Sequence, residues 1–179
     1  MKKTYIFDMD GTLASSMGLW REECARIDMS DEDAWESVFQ RMKRHYAEEI
    51  TLKDGALEFI RKAKSRGVKM CVASATRRDI AEPFLEKSGL LDYIEFYIDC
   101  IEIGAFKDKP DIFLLAAKRL GADISDCVVF EDVPPAVKTA KKAGFYVVGV
   151  YDSVTVNDGD IRPLVDDYVE DWREFEIKA

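Results

Sequence analysis

Two aspartates lie two positions apart near the start of the sequence, directly after a short β-branched and aromatic run. Asp8 and Asp10 follow residues 4–7 and precede Gly11, which allows a tight turn. Side chains at positions i and i+2 of an extended chain point the same way, so the two carboxylates should leave the strand close together. Neighbouring carboxylates repel each other unless a cation or a proton lies between them. Mg²⁺, a hard cation that prefers oxygen ligands, would relieve that repulsion. Taken alone, the pair also fits an acidic turn that caps a helix.

Further polar residues follow apolar runs downstream or lie in a loop. Ser74 follows one run, Glu131 and Asp132 follow another, and Lys107 lies shortly before a proline. Each has an ordinary explanation by itself, because serine and acidic residues are common helix caps. Lysine is common in solvated loops, and Lys109 is a nearby competitor of Lys107. The joint order of these groups, each at a strand end or in a loop, favours one shared site.

Strand-like runs alternate with helical patterns through most of the chain. This alternation, with continuously apolar strands, predicts an α/β fold with a Rossmann-like parallel sheet and helices on both faces. Ligands of such sheets bind beyond the carboxyl ends of the strands. The predicted strands cover residues 4–7, 68–73, 93–98, 127–130, 145–150 and 168–169.

The segment 15–54 has a helical period instead. A first apolar stripe and a second one, in a helix that Ser30 should open, are expected to pack on each other as a helical hairpin. His45, the single histidine, lies among basic residues and is predicted to be a surface residue, not a ligand. The stripes consist of Met17, Trp20, Cys24 and Ile27, and of Trp35, Val38, Phe39, Met42 and Tyr46.

Composition limits the function classes. The chain has 179 residues, a net charge of −9 and a pI of about 4.8, which argues against a nucleic-acid or anionic-membrane surface. Small phosphorylated substrates stay possible, because a metal and one lysine set the local field. The four cysteines lack metal-ligand spacing, which favours reduced thiols. Without a signal peptide or a membrane-length apolar run, we expect a cytoplasmic protein.

These residues suit phosphoryl transfer with Asp8 as the nucleophile. A carboxylate that attacks phosphorus needs its own charge and that of the phosphate screened. Magnesium held by Asp8, Asp10 and Asp132 would provide that screening. Lys107 can bind both the phosphoryl oxygens and the Asp8 carboxylate.

The remaining groups can bind phosphate and move protons. The Ser74 hydroxyl and the backbone N–H groups that follow it, beginning at Ala75, can donate to a phosphoryl oxygen. Asp10 is then left to protonate the leaving oxygen and later to activate water. Every charge that develops in the reaction would have a partner.

Four motifs resemble those of the haloacid dehalogenase-like superfamily, and specifically its β-phosphoglucomutase-like branch of phosphatases and phosphomutases. They lie at residues 8–13, 72–76, 107–113 and 129–132, and the resemblance extends over residues 3–150. It implies a Rossmann-like core formed by residues 1–14 and 55–179, and a short helical cap at residues 15–54.

The resemblance also implies residue roles. Asp8 would form an aspartyl-phosphate, and Asp10 would be the acid/base. Mg²⁺ would take the Asp10 backbone carbonyl and Asp132 directly, and Glu131 through bound water. Lys107, rather than Lys109, would be the motif lysine.

Several positions depart from the family pattern. Ser15 stands where an acidic residue is usual, and Val133 and Ala136 replace a common serine and glycine. None of these changes removes a catalytic group, but the short cap should leave the site more open. Phosphomutases of the branch have a cap-side histidine at the position of Trp20, which cannot accept a proton.

A magnesium-dependent phosphatase of a small phosphorylated metabolite is therefore the predicted function. A phosphomutase of the β-phosphoglucomutase type and a catalytically silent phosphate-binding regulator are the alternatives. Trp20, Arg21, Arg26 and Arg77 are candidate substrate contacts, although Arg77 also fits a solvated helix start. Neither the physiological substrate nor the oligomeric state follows from the motifs.

Overall fold

The core of the fold is a six-stranded parallel sheet with the strand order β3-β2-β1-β4-β5-β6. The computed structural model describes residues 2–177. Every neighbouring pair of strands is parallel, which confirms the predicted α/β, Rossmann-like architecture. The strands are β1 (Thr4–Phe7), β2 (Lys69–Ser74), β3 (Tyr97–Asp99), β4 (Cys127–Glu131), β5 (Tyr146–Val150) and β6 (Asp167–Val169).

The central strand β1 is buried along its whole length because apolar side chains cover both faces of the sheet. Tyr5 and Phe7 belong to one cluster of core residues, and Ile6, between them, belongs to a second. This alternation is the two-residue period of a strand with packing on both sides. The chain order brings β1 between β2 and β4, so the ends of these three strands meet at one edge.

The described residues 2–177 also form seven helices. One core cluster includes residues of the helices between β1 and β3, and the other includes residues of the two helices that flank β4. The helices are α1 (Met17–Cys24), α2 (Glu32–Glu48), α3 (Ala56–Ser65), α4 (Arg78–Ser88), α5 (Cys100–Ile103), α6 (Asp111–Leu120) and α7 (Pro134–Lys142).

Two predicted boundaries are wrong. Asp31, not Ser30, caps α2, because its carboxylate accepts the backbone N–H of Asp33 at 3.0 Å while the Ser30 hydroxyl donates to Asp28. The strand predicted over residues 93–98 begins only at Tyr97, since a 3₁₀ helix over Leu90–Asp92 leads into a turn at residues 93–96.

The helices α1 and α2 lie between β1 and α3, and α2 packs against α4. The face of α2 that carries Val38, Met42 and Tyr46 is fully buried, as its stripe predicts. By contrast, Met17 and Trp20 of α1 are only half-buried. They line a cavity, as do the half-buried Trp35 and Phe39 of the α2 stripe, and this is the physical reason for the difference from the predicted packing.

The chain that follows β6 returns to the core. Trp172 is buried among Phe7, Phe59 and Phe130, and its indole N–H donates to the backbone oxygen of Thr12 at 3.2 Å. All four cysteines are free thiols, three of them buried. Within residues 2–177, each helix is too short or too polar to cross a bilayer.

Candidate active site

The predicted site residues reach one edge of the sheet because they follow its three central strands. The backbone N–H of Asp8 donates to the oxygen of Phe130 at 2.9 Å, so the β1–β4 ladder continues one residue past β1. Glu131 ends β4 and Asp132 follows it, while Ser74 ends β2. All four of these polar side chains are buried.

Asp8, Glu131 and Asp132 form an acidic cluster, with one oxygen of each within 4.8 Å of the others. In the described part of the chain, no hydrogen-bond partner reaches Asp8 Oδ2 or Asp132 Oδ2, although both are buried. The other Asp132 oxygen accepts the Thr12 hydroxyl at 3.0 Å. Buried carboxylate oxygens without donors are costly unless a cation binds them.

Glu131 differs from Asp8 and Asp132 because both of its carboxylate oxygens already accept hydrogen bonds. Oε1 accepts the Lys107 ammonium at 2.7 Å, and Oε2 accepts the backbone N–H groups of Asp132 and Val133 at 3.0 and 3.3 Å. A cation between the aspartates would therefore find free oxygens on Asp8 and Asp132 but not on Glu131. The donor set, hard oxygens only, fits Mg²⁺.

The pKa values of the acidic cluster indicate that it lacks positive charge. Burial raises the pKa of Asp8 to about 8, with Lys107 opposing the rise and Glu131 and Asp10 adding to it. Burial, followed by the charges of Asp8 and Glu131, likewise raises the pKa of Asp132 well above its ordinary range. The cluster holds more carboxylate than one lysine balances.

Lys107 is the buried lysine of the site. Its ammonium donates to Asp8 Oδ1 as well as to Glu131, and it lies 5.7 Å from the centre of the Phe113 ring. Burial alone would lower the pKa of Lys107, but the two carboxylates outweigh it and raise the pKa, so the side chain stays charged. The competing Lys109 is exposed.

Asp10 points away from the acidic cluster and accepts hydrogen bonds from four hydroxyl groups. Ser16 donates to Oδ1 at 2.6 Å, Thr76 donates to Oδ2 at 2.8 Å, and Ser74 reaches Oδ2 at 3.4 Å. The fourth donor is Tyr46 of α2, whose own oxygen accepts the indole N–H of Trp20 at 2.9 Å. The side chain of Asp10 therefore belongs to a network that joins α1, α2 and the end of β2.

Sequence reasoning missed Tyr46 and Lys53 as residues of the site. Tyr46 falls in the buried stripe of α2, so its spacing indicates packing, and nothing in the sequence indicates its hydroxyl partner. The Lys53 ammonium donates to the backbone oxygens of Gly11 and Tyr151 and lies 3.1 Å from Asp152. Its position in a linker gives no signal of this role.

Gly11 makes the turn that follows Asp10 possible. Its φ is +82°, and a Cβ atom there would lie 2.1 Å from Asp132 Oδ2. Thus a side chain at position 11 would occupy the place of a carboxylate oxygen that has no hydrogen-bond partner. Glycine is required here for both conformation and space.

A cavity of about 470 Å³ opens beside Asp10. Trp20 and Arg77 both line it, as do Ala75 and Thr76. Arg77 is half-exposed, and its guanidinium binds the Asp79 carboxylate with contacts of 3.0 and 2.8 Å.

Two other candidate substrate contacts lie outside the cavity. Arg21 pairs with Asp158 at 2.5 Å, and Arg26 pairs with Glu22 and Glu23 on its own helix; neither arginine lines the cavity. Their side chains point to solvent because α1 presents its apolar side, not its basic side, to the cavity.

His45 is also less exposed than predicted. Its side chain is 18% exposed and lies between two carboxylates, with Nε2 3.1 Å from Glu23 and Nδ1 2.6 Å from Glu49. The neighbouring basic residues suggested a solvated face, but the buried Glu23 of α1 draws the imidazole inward.

The comparisons with known proteins agree with this geometry. A family model described as haloacid dehalogenase-like hydrolase matches residues 26–144. Validoxylamine A 7'-phosphate phosphatase of Streptomyces hygroscopicus subsp. limoneus is 25% identical, over 97% of this chain and 96% of that protein. A protein of Drosophila melanogaster named "Probable pseudouridine-5'-phosphatase" is 32% identical, over 84% of this chain and 69% of its own. The matches to several other curated relatives span less than half of those proteins.

The fold is also similar to solved structures. The crystal structure of CbbY from Rhodobacter sphaeroides in complex with phosphate superposes with a TM-score of 0.82 at 21% identity. The match covers 97% of this chain and 96% of that one. At this identity the likeness concerns the architecture.

Proposed function

The chain belongs to the haloacid dehalogenase-like hydrolase family, and on that premise we propose that it is a magnesium-dependent phosphatase acting through an aspartyl-phosphate. One observation carries the proposal. The carboxylate of Asp8 has one oxygen bound by the buried Lys107, and its other oxygen, near that of Asp132, has no hydrogen-bond partner in the described chain. This is the surrounding that a nucleophile for a charged phosphate requires, with cations on both sides.

In this proposal Asp8 and Asp132 would hold Mg²⁺ directly, with the Asp10 backbone carbonyl, and Glu131 would contribute through a bound water. When bound, Mg²⁺ would screen the negative charges of the nucleophile and the phosphate. Lys107 binds a phosphoryl oxygen, and its charge favours the ionised form of Asp8. The Ser74 hydroxyl and the Ala75 backbone N–H donate to another phosphoryl oxygen.

The reaction then has two displacements at phosphorus. An oxygen of Asp8 attacks the phosphorus atom, the bond to the substrate oxygen breaks, and Asp10 gives that oxygen its proton. In the second step Asp10 takes a proton from water, whose oxygen attacks the same phosphorus atom. Inorganic phosphate leaves, and the Asp8 carboxylate is regenerated.

We further propose that residues 1–14 and 55–179 act as the catalytic core and that residues 15–54 act as a short cap. The cavity beside Asp10 is lined from both parts, by Trp20 on one side and by Ala75 and Thr76 on the other. Such an arrangement lets the cap segment contact the organic part of the substrate while the core binds the phosphate.

The test is hydrolysis of p-nitrophenyl phosphate with and without Mg²⁺, with Asp8→Asn as the control. We expect phosphate release that EDTA abolishes and that Mg²⁺ restores. Asp8→Asn should abolish turnover because an amide is a poor nucleophile, and its thermal melt should show that it is folded. Release that is no faster than in Asp8→Asn would favour the silent phosphate-binding regulator instead.

A further inference from the structure

The cavity beside Asp10 has an apolar wall, although it adjoins a strongly charged site. Apart from Asp10, Thr76 and Arg77, the residues that line it are apolar or aromatic. Its volume of about 470 Å³ falls in the range of small-molecule sites. We propose, on the basis of the proposed function, that the substrate is a phosphate monoester whose alcohol carries a flat aromatic or heteroaromatic ring, rather than a sugar phosphate.

The position of Asp10 relates this cavity to the leaving group. In the proposed reaction Asp10 protonates the ester oxygen, and the Asp10 side chain is itself part of the cavity wall. Ala75 and Thr76, which follow the phosphate-binding Ser74, belong to the same wall. The organic part of a substrate bound at Asp8 therefore extends into this cavity.

The polar groups of the cavity wall already form hydrogen bonds with other groups of the protein. The indole N–H of Trp20 donates to Tyr46, and that of Trp35 donates to the Met29 backbone oxygen at 3.2 Å. The Thr76 hydroxyl donates to Asp10. A sugar would bury several hydroxyls against these surfaces without partners, which is unfavourable. A ring would present no such groups.

The charge of Arg77 is balanced too. Its guanidinium binds both oxygens of Asp79 and lies 5.2 Å from the centre of the Phe39 ring. A second phosphate on the substrate would have to displace Asp79. The cavity therefore favours a substrate with one phosphate group over a bisphosphate.

Aromatic surfaces meet at this cavity. The rings of Trp35 and Phe39 lie 5.7 Å apart at an angle of 33°. At the rim, Ile101 and Phe106 are 59% and 63% exposed, which is unusual for large apolar side chains. A flat ring in the cavity would stack on the aromatic faces and cover part of this exposed surface.

The experiment compares esters of primary alcohols, so that the leaving groups are chemically alike. Benzyl phosphate and 2-naphthylmethyl phosphate represent the ring class, and glucose 6-phosphate and ribose 5-phosphate represent the sugar class. We expect kcat/KM to be at least about tenfold higher for the ring esters, the scale of one or two well-packed apolar contacts. Equal values, or higher values for the sugar esters, would overturn the inference.

Variants test whether the ring lies in this cavity. Phe106→Ser changes an exposed side chain and so leaves folding intact. It should nevertheless lower kcat/KM for 2-naphthylmethyl phosphate several-fold. Trp35→Leu should lower kcat/KM for the same ester about tenfold. Leu91→Ser, which removes an exposed apolar residue outside the cavity, should change neither class of substrate. Loss in Leu91→Ser equal to that in Phe106→Ser would contradict the assignment.

The outcome separates this inference from the proposed function. If both ester classes are hydrolysed equally, only the ring preference fails. If neither class is hydrolysed above the Asp8→Asn control, the proposed function fails, and the ring preference is then measured by binding. In that case quenching of tryptophan fluorescence by benzyl phosphate, but not by ribose 5-phosphate, supports the cavity assignment, and equal quenching overturns it.

Discussion

At the scale of single residues, the surroundings of Asp10 explain how one carboxylate could serve as both acid and base. Its oxygens accept hydrogen bonds from the hydroxyl groups of four residues, none of which carries a positive charge. These donors are Ser16, Tyr46, Thr76 and Ser74. Hydroxyl groups can rotate and can accept as well as donate, so the network can adapt when Asp10 gains or loses a proton. Lysine or arginine in their place would lack this freedom.

Asp10→Asn tests the role of that carboxylate. Because the amide cannot protonate a leaving oxygen, we expect kcat to fall by about 100-fold or more for benzyl phosphate. The loss should be smaller for p-nitrophenyl phosphate, whose leaving group needs little help. Steady-state rates on both esters measure the difference, and equal losses would assign Asp10 to positioning alone.

Gly11→Ala tests the turn that follows Asp10 against a matched control. Gly67 has a similar φ, +76° against +82°, but no atom lies within 4 Å of a Cβ placed there. Gly67→Ala should therefore cost only about 1–2 kcal/mol of backbone strain. Gly11→Ala should cost more, because Asp132 must move, and should raise the Mg²⁺ concentration needed for half-maximal activity at least about tenfold. Equal effects of the two variants would show that Asp132 tolerates the displacement.

The residues that sequence reasoning identified share one property. Asp8, Lys107 and Asp132 have types that are rarely buried without a purpose. The two aspartates follow strand ends whose apolar runs are easy to recognise, and Lys107 lies in a loop shortly before a proline. Tyr46 and Lys53 lie in a helix stripe and a linker, where tyrosine and lysine are ordinary. The hydrogen-bond partners of Tyr46 lie 26 and 36 positions away and those of Lys53 lie 42 and 98 positions away, so spacing along the chain carries no sign of them.

At the scale of elements, α2 is joined to the site through one hydroxyl group. Tyr46 is fully buried, and burial followed by the charge of Asp10 raises the pKa of its phenol well above the ordinary value. The phenol therefore stays protonated and donates to Asp10, while it accepts from Trp20 of α1. One chain of hydrogen bonds thus connects the side chain of Asp10 to both α1 and α2.

Tyr46→Phe should lower the free energy of unfolding by about 1–3 kcal/mol, because it leaves the half-buried Asp10 carboxylate and an indole N–H with one partner fewer. Urea denaturation measures this. The control is Tyr93→Phe, whose hydroxyl only accepts from the exposed Arg61 at 3.1 Å. It should change stability by less than about 0.5 kcal/mol. A Tyr46→Phe effect no larger than that of the control would mean that the link to Asp10 contributes nothing to folding.

The same two helices are linked by a second, pH-dependent contact. His45 of α2 lies between Glu49 and the buried Glu23 of α1, which also binds Arg41. Burial alone would lower the pKa of His45, but its hydrogen bonds to Glu23 and Glu49 raise it above the ordinary value near 6.5. A folded-state pKa above the unfolded one makes the imidazolium stabilising.

That contribution is fully present below about pH 6.5, the pKa in the unfolded chain, and is lost as pH rises through the folded-state pKa. We expect the stability difference between the wild type and His45→Gln to be largest near pH 5.5 and to shrink towards pH 8.5. Urea titrations at four pH values would measure it. A difference that grows with pH would show that the histidine is neutral in the folded protein.

The packing of an element was predictable where its apolar residues follow one helix or strand period and face the core. It was less predictable where an apolar face lines a cavity. The strands around Phe7 and Phe130 and the α2 residues Val38, Met42 and Tyr46 are buried as their patterns indicate. Trp35 and Phe39 belong to the same α2 stripe, yet they face the cavity together with Met17 and Trp20 of α1. Apolar spacing alone cannot distinguish a face that packs on protein from one that awaits an apolar ligand.

At the scale of the whole molecule, the openness of the site bears on the choice between phosphatase and phosphomutase. A mutase must keep its aspartyl-phosphate from water until a second hydroxyl arrives, which needs tight closure. Here the two helices of the segment 15–54 leave an exposed apolar rim at Phe106, and Trp20 offers no proton acceptor.

We therefore expect no isomerisation of β-glucose 1-phosphate to glucose 6-phosphate, even with the bisphosphate primer. Any slow reaction should release inorganic phosphate. Phosphorus NMR distinguishes the products in one time course. Formation of glucose 6-phosphate faster than free phosphate would replace the phosphatase proposal with the mutase alternative.

The hydrogen bond from Trp172 to Thr12 also orders events during synthesis. Thr12 holds Asp132 through its hydroxyl and accepts Trp172 through its backbone oxygen, a partner 160 positions later. At about 5–20 residues per second, many seconds pass between the translation of Thr12 and that of Trp172. Until Trp172 has been made, the loop that carries Asp8 and Asp10 lacks this hydrogen bond. We therefore expect the loop to complete its packing only late in the production of the chain.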